Sequence, residues 1–223
     1  EAVRVWQGSR DENGRKVARR RSLPVTGVVD DVTWASVFAR RGTSGWLAPG
    51  RIAKAVNAST PDVVENWPLI EEALDREGMD DPATRVAAVA TVLVEVGPRF
   101  APIKEFGSTA YFTRMYEGRE DLGNVRRGDG ARYHGRGYIQ LTGRANYRTF
   151  GERLGLPLEA EPDRALDPDV AARVMARYFK ERGVALSARR GDWEDVRRRV
   201  NGGLNGWPVF EGAVKALLTA SSR

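Results

Sequence analysis

Tyr133-His134-Gly135-Arg136-Gly137-Tyr138-Ile139-Gln140-Leu141-Thr142-Gly143-Arg144-Ala145-Asn146-Tyr147 sets two glycines around an arginine, adds a short β-compatible run and ends in a second glycine turn. Glycine has no Cβ, so positions 135, 137 and 143 can bring backbone close to a ligand or take positive φ. Between them stand Arg136, Gln140, Thr142, Asn146 and the tyrosines 138 and 147, side chains suited to gripping hydroxyls and acetamides.

Outside this run the pattern is helical. Thr60-Pro61-Asp62 is a cap followed by proline in the first turn, leading into Val63, Val64 and Trp67 and stopping at Gly78. Asp81-Pro82 starts a helix apolar on almost every side, through Val86, Val89, Val92 and Leu93, which belongs in the middle of a core. Asp167-Pro168 opens another, with Val170, Val174, Tyr178 and Phe179, closed by Gly183, and two more lie near 192–200 and 208–220. The expectation is a mainly α, two-lobed domain over residues 48–223 with a small irregular β element near 133–142.

Composition narrows the chemistry. The 223 residues include no cysteine and a single histidine, His134. Cysteine-ligated metals and thiolate nucleophiles are therefore excluded, and one histidine cannot supply the ligand cluster of a zinc amidase. No nucleophile-elbow pattern stands near His134. Carboxylates remain. No cofactor and no metal are expected, and no run approaches the ~20 apolar residues of a membrane span.

Glu95 sits in the last turn of the apolar helix, before Gly97-Pro98. A carboxyl buried there without an ion partner would favour the protonated form that a general acid needs, whereas an exposed edge or a pair with Arg99 would make it structural. Ten residues on, Glu105 falls on what reads as a loop past Pro98 and Pro102, with Lys104 beside it.

The run 133–147 closely resembles the signature of family 19 glycoside hydrolases, the chitinase-like enzymes that also serve as phage endolysins. The resemblance spans about residues 60–215 and implies a lysozyme-like, chitinase-like helical fold and an inverting mechanism without metal or cofactor. It implies that Glu95 is the acid. Val94-Glu95-Val96-Gly97 stands where the family carries a "HETGG"-like string, with valine for the histidine and one glycine lost. It implies that Glu105 is the base, with Glu117, Glu120 and Asp121 as competitors, and that Thr142 holds the attacking water. Glu117, Arg119 and Asn124 fall in a segment similar to the cleft lining of lysin-type members. Gln140, Asn146 and Asn201 match sugar-contacting positions, and Arg136 and Tyr147 complete the expected substrate-binding set. Tyr138 and Tyr147 suit either sugar stacking or core packing.

The net charge of +6 is concentrated at the start, where residues 1–47 carry nine Lys/Arg against five Asp/Glu. Such a patch suits a solvated loop, a nucleic acid or an anionic wall polymer. Leu23-Pro24-Val25-Thr26-Gly27-Val28-Val29-Asp30-Asp31-Val32-Thr33-Trp34 resembles the second half of a small helical peptidoglycan-binding module, and Ala2-Val3-Arg4-Val5-Trp6-Gln7 resembles the helix before it. Residues 1–40 are read as this short helical module remnant, 41–47 as a linker and 48–223 as the catalytic domain.

Together these readings lead to an endolysin-type glycosidase that cuts β-1,4 bonds of peptidoglycan. It is expected to act as a monomer on glycan strands, with no nucleic-acid partner and no membrane insertion. With no signal-peptide pattern at the N-terminus, it is expected in the host cytoplasm at synthesis and on the wall after release. The alternatives are a chitinase and a non-catalytic wall-binding protein.

Overall fold

The computed structural model describes residues 47–220. The expected module remnant at 1–40 and nearly all of the expected linker lie outside the described residues. The described part is mainly helical. The large lobe is assembled from α1 (Pro49–Val56), α2 (Thr60–Arg76) and α3 (Pro82–Val96). The Asp81 carboxylate accepts from the Thr84 backbone N–H at 2.9 Å, satisfying a donor that the helix start would leave orphaned. Pro82 follows in the first turn, where its absent N–H costs nothing. The apolar sequence of α3 buries residues on all sides, as its pattern requires.

After α3 the chain makes the strand β1 (Ile103–Lys104), then α4 (Thr109–Tyr116), α5 (Asp129–Arg132) and β2 (Arg136–Gly137). β1 and β2 pair antiparallel, with Ile103 opposite Gly137 and Lys104 opposite Arg136. An isolated bridge joins Arg136 to Leu141. The β element expected at 133–142 is present, but its partner strand comes from 103–104, which reads in sequence as loop. The second glycine turn is also more than a turn. Gly143, at φ 94°, precedes α6 (Arg144–Leu154), and a Cβ there would lie 2.7 Å from the Leu122 carbonyl.

Four helices close the domain: α7 (Pro168–Glu181), α8 (Val184–Arg189), α9 (Trp193–Asn201) and α10 (Trp207–Ala220). Two buried clusters result. The larger joins α1, α2 and α3 to α7 through α10, and the smaller gathers Tyr133, Leu141, Tyr147, Phe150 and Leu158. Ile139 and Tyr178 pack against both. Tyr138 leaves the β element to enter the large core, where its hydroxyl donates to Asn66 Oδ1 of α2 at 2.9 Å.

Candidate active site

The end of α3 presents Glu95 toward α9. Arg197, on α9, is 1% exposed, and its Nη1 donates to Glu95 Oε1 at 2.6 Å. The expectation of a carboxyl without an ion partner is thus not met. The partner is Arg197, not Arg99, because the buried stripe of α9 is built from Val196 and Arg197 and faces this helix end. The same guanidinium donates from Nε to the Asn205 carbonyl at 2.7 Å. It thereby holds the loop after α9 against α3. Gly206, at φ 73°, packs so closely that a Cβ would sit 2.5 Å from Val94 Cγ1. The valine standing in the family's histidine position therefore has a packing partner of its own.

Glu105 follows β1 and is half-buried. Its N–H donates to the Gly135 carbonyl at 2.9 Å, continuing the ladder of β1 with β2. Its Oε1 accepts from the Tyr116 hydroxyl at 2.8 Å and its Oε2 from the Gly135 N–H at 3.0 Å. Burial, and then this bond to Glu105, push the Tyr116 hydroxyl well above its ordinary value, so it remains a donor. Lys104 does not serve Glu105: its Nζ lies 3.4 Å from Asp163.

Gly135 is the meeting point of two candidate residues. A Cβ there would lie 2.7 Å from Gln140 Oε1 and 3.2 Å from Glu105 Oε2. Gln140 itself takes φ 53°, and its Nε2 donates to the carbonyls of Ile103 and Gly137. Thr142 Oγ1 donates to the Gln140 carbonyl at 2.9 Å, which leaves its lone pairs free to accept. Asn146 Nδ2 donates to the Thr142 carbonyl at 2.7 Å. Gln140, Thr142 and Asn146 line one wall of a cleft of about 430 Å³, and Tyr178 and Arg182 line another. Burial raises the Tyr178 hydroxyl; Arg182 opposes this and the Glu95 charge adds to it, which couples the cleft electrostatically to the end of α3.

The other expected substrate contacts are turned inward. Asn124 is fully buried, donating to the Tyr116 carbonyl and accepting from the Arg144 N–H. Arg136 is buried on Asp163, the His134 carbonyl and the Tyr147 hydroxyl. Tyr147 is buried as well, its hydroxyl donating to the His134 carbonyl. These three hold the β element in shape and offer no surface to a ligand, because their polar atoms are spent on backbone that would otherwise be unsatisfied. Tyr138 likewise belongs to the core. Glu117 binds the backbone N–H groups of Gly128 and Gly130 with both oxygens, at 2.6 and 2.8 Å, and so ties down the loop before α5. Arg119 pairs with Asp121 on the surface. Asn201 ends α9, exposed, with Gly202 as its cap. His134 stacks on Phe112 with ring centroids 4.0 Å apart, and burial holds its imidazole below the usual range.

Sequence reasoning passed over Arg197 and Tyr116. The first carried a signal: Trp193, Val196, Arg197 and Val200 follow helical spacing, so a cation stands on an apolar stripe and must find an anion.

No protein-family model matches the chain. A glycosyl hydrolase family 19 domain-containing protein of Haemophilus influenzae is 41% identical over 93 residues, which is 42% of this chain and 44% of that protein. Over that stretch the chain is similar to a family 19 glycosyl hydrolase domain protein. An endochitinase of Arabidopsis thaliana is 38% identical over 74 residues, 33% of this chain and 26% of that protein. The match therefore spans less than half the length of either relative. Among solved structures, chitinase C from Streptomyces griseus is similar at 18% identity and a TM-score of 0.48, over 87% of this chain and 76% of that one. A bacterial family 19 chitinase is similar at 18% identity and a TM-score of 0.46, over 85% and 94%.

Proposed function

We propose that this chain is an inverting glycosidase that hydrolyses β-1,4 bonds between N-acetylhexosamines of bacterial peptidoglycan, as a phage-type endolysin does. The observation that carries the reading is a pair of carboxylates held in opposite manners, one at the end of the apolar helix α3 and one on the β element. Glu95 is gripped through one oxygen by a buried cation, whereas Glu105 is held by two neutral donors. In this reading Glu95 is the acid, and Oε2, the oxygen Arg197 does not bind, is the atom that delivers a proton to the leaving glycosidic oxygen. Glu105 takes a proton from water through a lone pair left over after Tyr116 and Gly135 are served. The water oxygen bonds to the anomeric carbon from the face opposite the leaving group, so a β linkage yields an α product in one displacement. Thr142 Oγ1 accepts a hydrogen bond from that water and holds it. One copy of the chain supplies every group, so no partner subunit is required.

Peptidoglycan is favoured over chitin by the resemblance of residues 116–124 to lysin-type members and of residues 23–34 to a wall-binding module. A chitinase is the second reading, supported by the endochitinase among the relatives. The deciding experiment is mass spectrometry of fragments released from purified peptidoglycan and from chitin oligomers, with proton NMR of the fresh reducing ends. Glycan fragments from peptidoglycan bearing α ends, absent with Glu95→Gln, are expected. Cleavage of chitin alone would replace the substrate, and β ends would remove the single displacement. Binding to the wall with no fragments would leave a non-catalytic wall protein.

A further inference from the structure

The cleft that holds Gln140, Thr142 and Asn146 has a charged wall which the reaction does not use. Arg153 and Glu181 pair with each other there and cancel. Arg182, the cap residue of α7, has no carboxylate partner among the described residues, so it gives this cleft its net positive charge. Its guanidinium is not a loose surface group. It lies over the Tyr178 ring, 5.1 Å from the centroid, and Tyr178 is fixed in turn by its bond to the Val200 carbonyl. The Arg182 backbone is fastened too, its carbonyl accepting from Arg199 at 2.8 Å and its N–H donating to Tyr178. A cation steadied over an aromatic face in this way loses little further freedom when its five N–H donors meet a carboxylate.

The other polar side chains lining the cleft, Gln140, Thr142, Asn146 and Thr149, are neutral hydrogen-bonding groups, matched to hydroxyls and acetamides. We infer that Arg182 is a specificity residue that binds a carboxylate carried by the glycan. The inference rests on the glycosidase reading for the identity of the polymer. Chitin carries no such group. In peptidoglycan, every second sugar bears a lactyl ether, which ends either in a free carboxylate or in a peptide with carboxylates of its own.

The test uses the full chain with Arg182→Gln on three substrates: glycan strands with their peptides, the same strands stripped by an amidase so that the lactyl carboxylate is free, and neutral N-acetylglucosamine oligomers. KM should rise about 5-fold on a carboxylate-bearing strand, the size of a well-placed exposed ion pair, with kcat unchanged. The neutral oligomers should show no change. A loss on the stripped strand alone assigns the lactyl carboxylate, a loss on the peptide-bearing strand alone assigns the peptide, and a loss on both shows that Arg182 takes either carboxylate. Arg182→Lys should recover part of the affinity by keeping the charge. Equal losses on all three substrates, or none on any, would overturn the inference. Dissociation constants measured in the Glu95→Gln background keep the two proposals separate. A protein that binds the strands and never cuts them refutes the catalytic reading, while the contrast at Arg182 is still read from binding.

Discussion

Arg197 Nη1 lies 2.6 Å from Glu95 Oε1, joining residues 102 positions apart across the large core. The cation is buried and the anion nearly so, and removing one partner of such a pair strands the other charge. Arg197→Met should therefore lower stability by about 3 kcal/mol. Adding Glu95→Gln to that variant should return part of the loss, because no uncompensated charge remains. Urea unfolding of the two single variants and the double variant measures both effects; strictly additive losses would show that the pair does not matter to folding.

Gly135 separates activity from stability. A methyl there would press on the ends of the Gln140 and Glu105 side chains, which can swing aside, rather than on backbone. Gly135→Ala should unfold within about 1 kcal/mol of the parent, the common size for a single substitution, yet lose at least ~10-fold in kcat. Matching thermal melts with unequal turnover are the expected pair of results.

Tyr116 should matter to rate rather than to substrate affinity. Its hydroxyl fixes Glu105 Oε1 and, with its ionisation pushed upward by burial and by that bond, stays protonated at any working pH. Tyr116→Phe removes one hydrogen bond to a charged group, worth about 1.5 kcal/mol, so kcat should fall about 10-fold with KM little changed. A rise in KM alone would place the tyrosine among the binding groups.

Acid should loosen the small lobe first. Arg148, then Arg144, hold the Glu159 carboxyl down to about 2 from its ordinary 4.5. A depressed value means that the stabilisation is complete above pH 4.5 and is lost as pH falls toward about 2. Glu159→Gln should flatten this part of the stability profile, as read from unfolding midpoints along an acid series.

The elements most legible in sequence were those whose local signals agree with their surroundings. Asp81-Pro82 and Asp167-Pro168 announce helix starts, and the all-round apolar pattern of α3 announces its burial. Of the glycines at 135, 137 and 143, the last two take the positive φ expected of them, against the Ala165 and Leu122 carbonyls, while Gly135 makes room for Glu105 and Gln140 of the chain itself. The two-residue strand at 103–104 was hidden, since a pair that short has no period and exists only through its partner at 136–137. Polar residues misled for a related reason. Asn124, Arg136 and Tyr147 have side chains that suit a sugar, but those same donors suit stranded carbonyls, and only the folded chain decides which they meet.

Tyr138 and Asn66 give the two lobes a common fastening. Both are buried, and separating them would leave a donor and an acceptor without water, at about 1–3 kcal/mol for each, several times thermal energy. Any hinge that parted the β element from α2 would have to break this buried bond first, so the contact works as a rivet and not as a pivot.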